Sequence, residues 1–80
     1  MKVRVLVRLK PGVLDVQGKA VERAVHSMGL EFCENFRIGR LVEFELADGD
    51  LASRRDGIDR LCQDLLANPI IEDVEVQEAI

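Results

Sequence analysis

Residues 2–10 alternate between apolar and basic side chains, and this pattern limits the possible folds more than any other feature of the chain. Leu6 is the one exception to the alternation. A period of two with several β-branched residues predicts a strand with one buried face. Pro11-Gly12 then predicts the end of that strand, because proline lacks the N–H that a sheet ladder needs. The inward residues are Val3, Val5, Val7 and Leu9, and the outward residues are Lys2, Arg4, Arg8 and Lys10.

The next segment changes to the period of an amphipathic helix. We predict a helix over about residues 16–28, with Asp15 as its N-cap and Gly29 just past its end. One apolar stripe runs along it. The stripe consists of Ala20, Val21, Ala24, Val25 and Met28.

A second helix and a last strand complete the chain. The apolar stripe of this helix is Ile58, Leu61, Cys62, Leu65 and Leu66. Ser53 and Asp56 have the spacing of a capping box. Gly57 opposes helix formation near the first turn, so the start of the helix is left open. Asn68-Pro69 predicts its end. Residues 70–77 then alternate as a strand.

Between the helices, residues 32–46 keep one alternation on both sides of Gly39. We predict one long strand that is bent at Gly39, since an isolated glycine in a strand often marks a bulge. The fold class is therefore α+β: a two-layer sandwich with an antiparallel sheet and two helices on one face, in the order β-α-β-α-β. The alternative splits the long strand into a hairpin and gives a ferredoxin-like β-α-β-β-α-β chain. With 80 residues, we expect residues 1–80 to form a single domain.

The sheet face away from the helices is predicted to mix charged and apolar residues. We expect cross-strand Arg–Glu pairs there. Leu6 and Leu41 would lie on the same face and are the predicted oligomer contacts. The chain has 80 residues with three Phe and no Trp, so its core is thin and contributes little stability. We therefore expect a dimer or tetramer.

The charge distribution argues against nucleic acid as a partner. Residues 1–40 carry eight Lys/Arg and four Asp/Glu, whereas residues 41–80 carry three Arg and eleven Asp/Glu. An acidic total of −4 argues against nucleic-acid binding, which needs a basic surface. No apolar run has the length of a membrane span, and the N-terminus has no signal-peptide pattern. We therefore expect a cytoplasmic location.

No set of residues predicts catalysis, and we expect neither a cofactor nor a metal in this chain. His26 has no nucleophile placed within its reach by the helix spacing. Cys33 and Cys62 form no disulfide framework or metal-binding spacing, and Cys62 falls on the buried stripe of the second helix. Glu43 and Glu45 share one face without a third ligand. The predicted interaction site is instead Arg37, Gly39 and Arg40, because arginines beside a glycine bend suit contacts at a sheet edge.

Three segments resemble the PurS family, the small subunit of the multi-protein phosphoribosylformylglycinamidine (FGAM) synthase of purine biosynthesis. VLDVQGKAVERAVHSMG (13–29) is similar to its opening helix, FRIGRLVEFEL (36–46) to its second strand, and CQDLLANPIIED (62–73) to its second helix and following turn. Members of the family usually carry proline at the position of Val16. The approach to the second helix, GDLASRRDG (49–57), also lacks the acidic run that is typical of the family.

The resemblance implies an accessory subunit rather than an enzyme by itself. In such complexes a glutaminase subunit releases ammonia from glutamine. A large synthetase subunit then uses ATP and Mg²⁺ to join the ammonia to formylglycinamide ribonucleotide. The small subunit is expected to bridge these two partners and to assist ammonia transfer, without catalytic residues of its own. The alternative function is a small-molecule-sensing regulatory module of the ACT or ferredoxin-like kind, for which Pro11-Gly12 would open a short effector loop.

Overall fold

The computed structural model describes residues 1–79 and contains three strands and two helices within them. The strands are β1 (Lys2–Leu9), β2 (Arg40–Glu45) and β3 (Glu72–Ala79). The helices are α1 (Val16–Ser27) and α2 (Arg55–Leu61), and α2 continues into a π-helical turn over Cys62–Leu66. The α+β class and the predicted order β-α-β-α-β are confirmed.

The strands form one antiparallel sheet in the order β2-β1-β3. Val5 of β1 lies opposite Val42 of β2 and Val76 of β3, so the predicted alternation places apolar side chains on one face of all three strands. Three inward residues of the central strand are fully buried, because they have a neighbour on each side and a helix above, whereas Leu9 at the end of the strand is only partly buried. The fully buried residues are Val3, Val5 and Val7.

Helix α2 covers the buried face of the sheet. Ile58 is only 4% exposed, and Cys62 is buried beside it. Leu65, which the helical stripe predicts as buried, is 75% exposed. The reason is the π-helical turn, in which the Ala67 N–H donates to the Cys62 carbonyl at 3.0 Å, five residues back. The wider turn rotates Leu65 away from the sheet.

The position of α1 refines the prediction that two helices lie on one face of the sheet. The apolar stripe of α1 is not buried against the sheet. Met28 is 74% exposed, and Val21 is exposed as well. Among residues 1–79, the buried apolar core contains side chains of β1, α2 and the π-helical turn but none of α1. Only α2 therefore closes the core that both helices were expected to share.

Residues 33–39 lie beside α1 and run in the opposite direction. The His26 Nε2 atom contacts the Cys33 carbonyl, and the Asp15 side chain contacts the Ile38 N–H. Eleven residues of helix between Asp15 and His26 span about 16 Å. The segment 33–39 is not a continuous extended strand, because Asn35 within it has a positive φ of 61°.

The paired part of the predicted long strand thus begins at Arg40, and residues 33–39 belong to no strand within residues 1–79. Gly39 lies immediately before the first paired residue of β2. A Cβ atom at this position would lie 2.4 Å from the Val7 carbonyl oxygen, so the close approach requires glycine.

The arrangement is much more open than is usual for a chain of this length. The radius of gyration of the Cα atoms is 15.9 Å, and their extents are 49 × 28 × 14 Å. A compact domain of this size has a radius of gyration of about 12 Å. The monomer therefore consists of a sheet with α2 and, at a distance from that core, α1 with residues 33–39.

Candidate interaction surfaces

Arg37 joins the two parts of the monomer. Its Nη2 atom donates to the Leu9 carbonyl at 2.9 Å and to the Lys10 carbonyl at 3.2 Å. Its Nε atom lies 3.9 Å from Asp15 Oδ2. The guanidinium therefore binds the end of β1, at the carbonyl of its last residue and at the Lys10 carbonyl, which also accepts from the Val13 N–H.

Arg40 connects β2 to β3 across the end of β1. Its guanidinium donates to the Glu72 carboxylate at 2.8 and 3.1 Å and to the Leu66 carbonyl at 2.6 Å. This bidentate contact lowers the pKa of Glu72 and raises the pKa of Arg40, since each charge stabilises the other. Arg40 also satisfies a carbonyl in the last turn of the π-helical segment.

Both arginines thus fold back onto their own chain, rather than projecting beyond the sheet edge as the strand pattern indicated. Their side chains are still about half exposed, at 41% for Arg37 and 50% for Arg40. With Gly39 between them, they form the junction of the α1 part and the sheet. A role for Arg37, Gly39 and Arg40 in partner binding stays a prediction.

Two carboxylates of α1 hold residues 33–39 in place. Asp15 accepts from the Gly18 N–H at 2.7 Å, as the predicted N-cap, and also from the Ile38 N–H at 2.8 Å. Glu22 accepts from the Phe36 N–H at 3.3 Å. These backbone donors lower the pKa of both carboxyl groups. The sequence indicates only the local capping bond, because the other two partners lie 23 and 14 residues away.

The open face of the sheet carries Leu6 and Leu41 directly opposite each other in neighbouring strands. Leu41 is 50% exposed, so the pair forms a small apolar patch. Cross-strand ion pairs surround it, and the predicted Arg–Glu pairing on this face is confirmed. The pairs are Arg4–Glu43 at 3.3 Å, Arg8–Glu75 at 3.4 Å and Lys10–Asp73 at 2.6 Å. The oligomer contact at Leu6 and Leu41 stays a prediction.

The side chains considered for catalysis have structural contacts. His26 Nε2 lies 2.8 Å from the Cys33 carbonyl. Burial raises the pKa of the Cys62 thiol, which makes this cysteine less reactive. Within residues 1–79, no three His, Cys, Asp or Glu side chains are grouped as a metal site would need. No helix in the same range is long and apolar enough to cross a bilayer.

Comparison with known proteins gives one consistent result. The model of the family described as PurS, phosphoribosylformylglycinamidine (FGAM) synthase, matches residues 2–79. The FGAM synthase subunit PurS of Bacillus subtilis is 43% identical over 99% of this chain and 95% of its own length.

Two solved structures show the same fold. The PurS of Methanocaldococcus jannaschii, described as one of the subunits of formylglycinamide ribonucleotide amidotransferase, has a TM-score of 0.85 at 28% identity and covers 99% of this chain and 96% of its own. A structure of PurLQS from Thermotoga maritima aligns with a TM-score of 0.87 at 24% identity, over 98% of this chain and 95% of that one, which is a likeness of fold. With a family model and a close relative that both span nearly the whole length, the chain belongs to the PurS family of FGAM synthase subunits.

Proposed function

We propose that this chain is a non-catalytic accessory subunit of FGAM synthase, and that it bridges a glutaminase subunit and a large synthetase subunit. The observation that carries the proposal is the family match over residues 2–79. The interactions of His26 and Cys62 described above agree with a chain that contributes surfaces rather than reacting groups.

In this role the chain helps ammonia pass from the glutaminase to the synthetase. Ammonia released into water would become protonated and lose its nucleophilicity, so a sealed assembly retains a reactant that free diffusion would waste. The ATP, Mg²⁺ and glutamine that the reaction uses would be held by the partner subunits. We place the chain in the cytoplasm together with these partners.

Reconstitution tests this function. The glutaminase and synthetase subunits are assayed with and without this chain, using either glutamine or an ammonium salt as nitrogen source. We expect omission of the chain to abolish glutamine-dependent FGAM synthesis and to leave ammonium-dependent synthesis largely intact. An undiminished glutamine-dependent rate without the chain contradicts the proposal.

We further propose that the junction of Arg37, Gly39 and Arg40 contacts one of these partners. Arg37→Glu is the variant chosen, because Arg40 forms a bidentate pair with Glu72 and binds the Leu66 carbonyl, whereas the contacts of Arg37 are the Leu9 and Lys10 carbonyls and, at 3.9 Å, Asp15. The loss of Arg37 therefore disturbs the fold less. Arg23→Glu on the exposed part of α1 is a control with the same charge change. We expect Arg37→Glu alone to weaken co-purification of the larger subunits, with circular dichroism showing that both variants fold. Equal co-purification of the two variants contradicts the assignment.

The chain is also proposed to form a homo-oligomer, either a dimer or a tetramer. Its apolar surface supports this, since Met28, Phe32 and Ile70 are each more than 70% exposed. Leu6 and Leu41 add an apolar patch on the open face of the sheet. Sedimentation equilibrium at micromolar concentration is the test, and a single species of 9.0 kDa contradicts the proposal.

A further inference from the structure

Strand β3 is an edge of the sheet, and its outer side carries backbone groups that have no partner within residues 1–79. The Lys10 N–H donates to the Ile71 carbonyl, and this pair continues the register of β1 and β3. Hydrogen-bonded pairs alternate along an antiparallel ladder, so the odd-numbered residues of β3 direct their N–H and C=O groups toward β1. Val74, Val76 and Glu78 therefore direct theirs outward.

The composition of β3 leaves this edge open to a further strand. The strand spans eight residues and contains neither proline nor lysine, which edge strands commonly use to exclude a partner. At its start, the Glu72 N–H is already bound to the Asn68 carbonyl at 2.8 Å. The free part of the edge is therefore residues 74–78.

The open face of the sheet indicates which charges an added strand needs. The charges on this face alternate from strand to strand: acidic on β2, basic on β1 and acidic on β3. Asp73 and Glu75 of β3 bind cations of β1 on one side and are still 55% and 50% exposed. A basic strand beside β3 would continue the alternation. The charged residues are Glu43 and Glu45 on β2, Lys2, Arg4 and Arg8 on β1, and Asp73 and Glu75 on β3.

The other face of the β3 edge adjoins a groove between β3 and α2 with its π-helical turn. The groove has a volume of about 280 Å³, and its apolar lining consists of Cys62, Ala67, Pro69 and Val74. Val74 is 42% exposed, although it lies opposite the fully buried Val7. Because successive side chains of a strand point to opposite faces, every second residue of an added strand would face this groove. Apolar side chains at those positions would cover Val74.

We propose that β3 binds an extended segment of one of the larger FGAM synthase subunits, in which basic residues alternate with apolar ones. The basic side chains lie beside Asp73 and Glu75, the apolar side chains face the groove, and the backbone pairs with Val74 and Val76. When a segment adds a strand to a sheet in this way, main-chain bonds supply affinity and alternate side chains supply specificity. The inference gives the chemistry of a partner segment and rests on the function proposed above.

A second copy of this chain is a poorer occupant of the same edge. Its own edge strands, β2 and β3, both carry carboxylates on the open face. Pairing either of them with β3 would set like charges against each other, which is destabilising. Strand β1 has the required alternation of basic and apolar residues, but it is already paired on both sides.

Hydrogen exchange of the wild-type chain, alone and in complex with the larger subunits, tests the pairing. In the chain alone, the amides of Asp73, Glu75 and Gln77 should exchange slowly because they pair with β1, and those of Val74 and Val76 should exchange quickly. In the complex we expect exchange at Val74 and Val76 to slow at least about tenfold. Fast exchange at both positions in the complex overturns the proposal. Slow exchange there in the chain alone also overturns it, since another copy would then occupy the edge.

Proline at position 74 is the second test, because it removes an outward N–H and leaves the ladder to β1 intact. Val74→Ala is the matched control, since it also removes the valine side chain but keeps the N–H. We expect Val74→Pro to weaken binding to the larger subunits at least about tenfold relative to Val74→Ala. Circular dichroism and sedimentation should show that both variants fold and associate alike. Equal binding of the two folded variants contradicts strand addition.

A pair of neutral substitutions tests the charge of the segment. Asp73→Asn with Glu75→Gln should weaken binding to the larger subunits and make it less sensitive to salt. The control is Glu43→Gln with Glu45→Gln, which makes the same change of charge on β2 and should leave binding unchanged. Equal effects of the two double variants contradict a basic segment at β3.

The outcomes separate this inference from the function on which it rests. A chain that binds neither larger subunit overturns both the inference and the bridging role. Binding that survives every change in β3, together with the loss of glutamine-dependent synthesis when the chain is omitted, overturns the inference alone.

Discussion

Asp15 is 5% exposed and yet carries a charge, because two backbone N–H groups donate to its oxygens. Its pKa is lowered from the ordinary value of 3.8, chiefly by the Gly18 N–H, then by the Ile38 N–H and the nearby Arg37. A carboxyl group with a lowered folded pKa contributes its full stability above the unfolded pKa, and this contribution is lost as the pH falls through the folded value.

We therefore expect the melting temperature of the wild-type chain to fall when the pH is lowered from about 5 to about 2. Asp15→Asn should lower the melting temperature at neutral pH and reduce its fall in acid. Asp48→Asn is the control, because its side chain is 89% exposed, and it should leave the acid-induced fall unchanged. Differential scanning calorimetry measures both, and an identical pH profile for Asp15→Asn and the wild type would refute the assignment.

Ile58 and Leu65 lie on one stripe of the sequence, but the π-helical turn separates their environments. Ile58→Ala should lower the free energy of unfolding by about 2–5 kcal/mol, since it removes a buried side chain. Leu65→Ala should change it by less than about 0.5 kcal/mol, because this side chain is already in solvent. Urea unfolding of the two variants distinguishes them. Similar losses in both would mean that Leu65 is buried.

At the scale of elements, the two helices each carry glycine as their third residue. A Cβ atom at Gly18 would lie 2.2 Å from the Phe36 carbonyl oxygen, whereas nothing lies within 4 Å of the Cβ position at Gly57. Gly18→Ala should therefore destabilise the chain by about 1–3 kcal/mol through a forced shift of residues 33–39. Gly57→Ala should stabilise it by up to about 1 kcal/mol through helix propensity. Thermal unfolding tests the opposite signs, and effects of the same sign contradict this packing.

The elements also show which parts of the fold could be predicted from the sequence. Strand β1 and the caps of α1 depend on neighbouring residues, so the alternation and Asp15 were sufficient to predict them. The π-helical turn depends on one backbone bond, from Ala67 to Cys62, that no periodicity signals. Residues 33–39 have the pattern of a strand but no partner strand in residues 1–79, because pairing is a property of the surroundings and not of the segment.

For the junction of Arg37, Gly39 and Arg40, the sequence indicated two arginines beside a glycine but not the groups that they bind. Arg37 and Arg40 do lie at a junction, but their acceptors are the Leu9 and Leu66 carbonyls and Glu72, at separations of 26 to 32 residues. Leu6 and Leu41 were expected to share a face because strand parity determines this. That they are direct neighbours follows from the register of β1 and β2, which parity alone does not specify.

At the scale of the whole molecule, the open shape of the monomer leads us to expect that its thermal stability depends on protein concentration. If the exposed apolar residues of α1 are covered only by association, mass action should raise the melting temperature as the chain is concentrated. We expect an upward shift of several degrees between about 5 and 500 μM, measured by calorimetry. A midpoint independent of concentration would mean that the open monomer is the stable folded species.

The free edge of β2 also raises the question of how the chain avoids fibrils. In parallel in-register cross-β stacking, identical segments align so that every residue meets its own copies above and below. In residues 40–45 this alignment would stack arginine on arginine at Arg40 and carboxylate on carboxylate at Glu43 and Glu45. Like charges in direct opposition are destabilising. Endless parallel growth along this edge is therefore penalised by the charged residues of the strand itself.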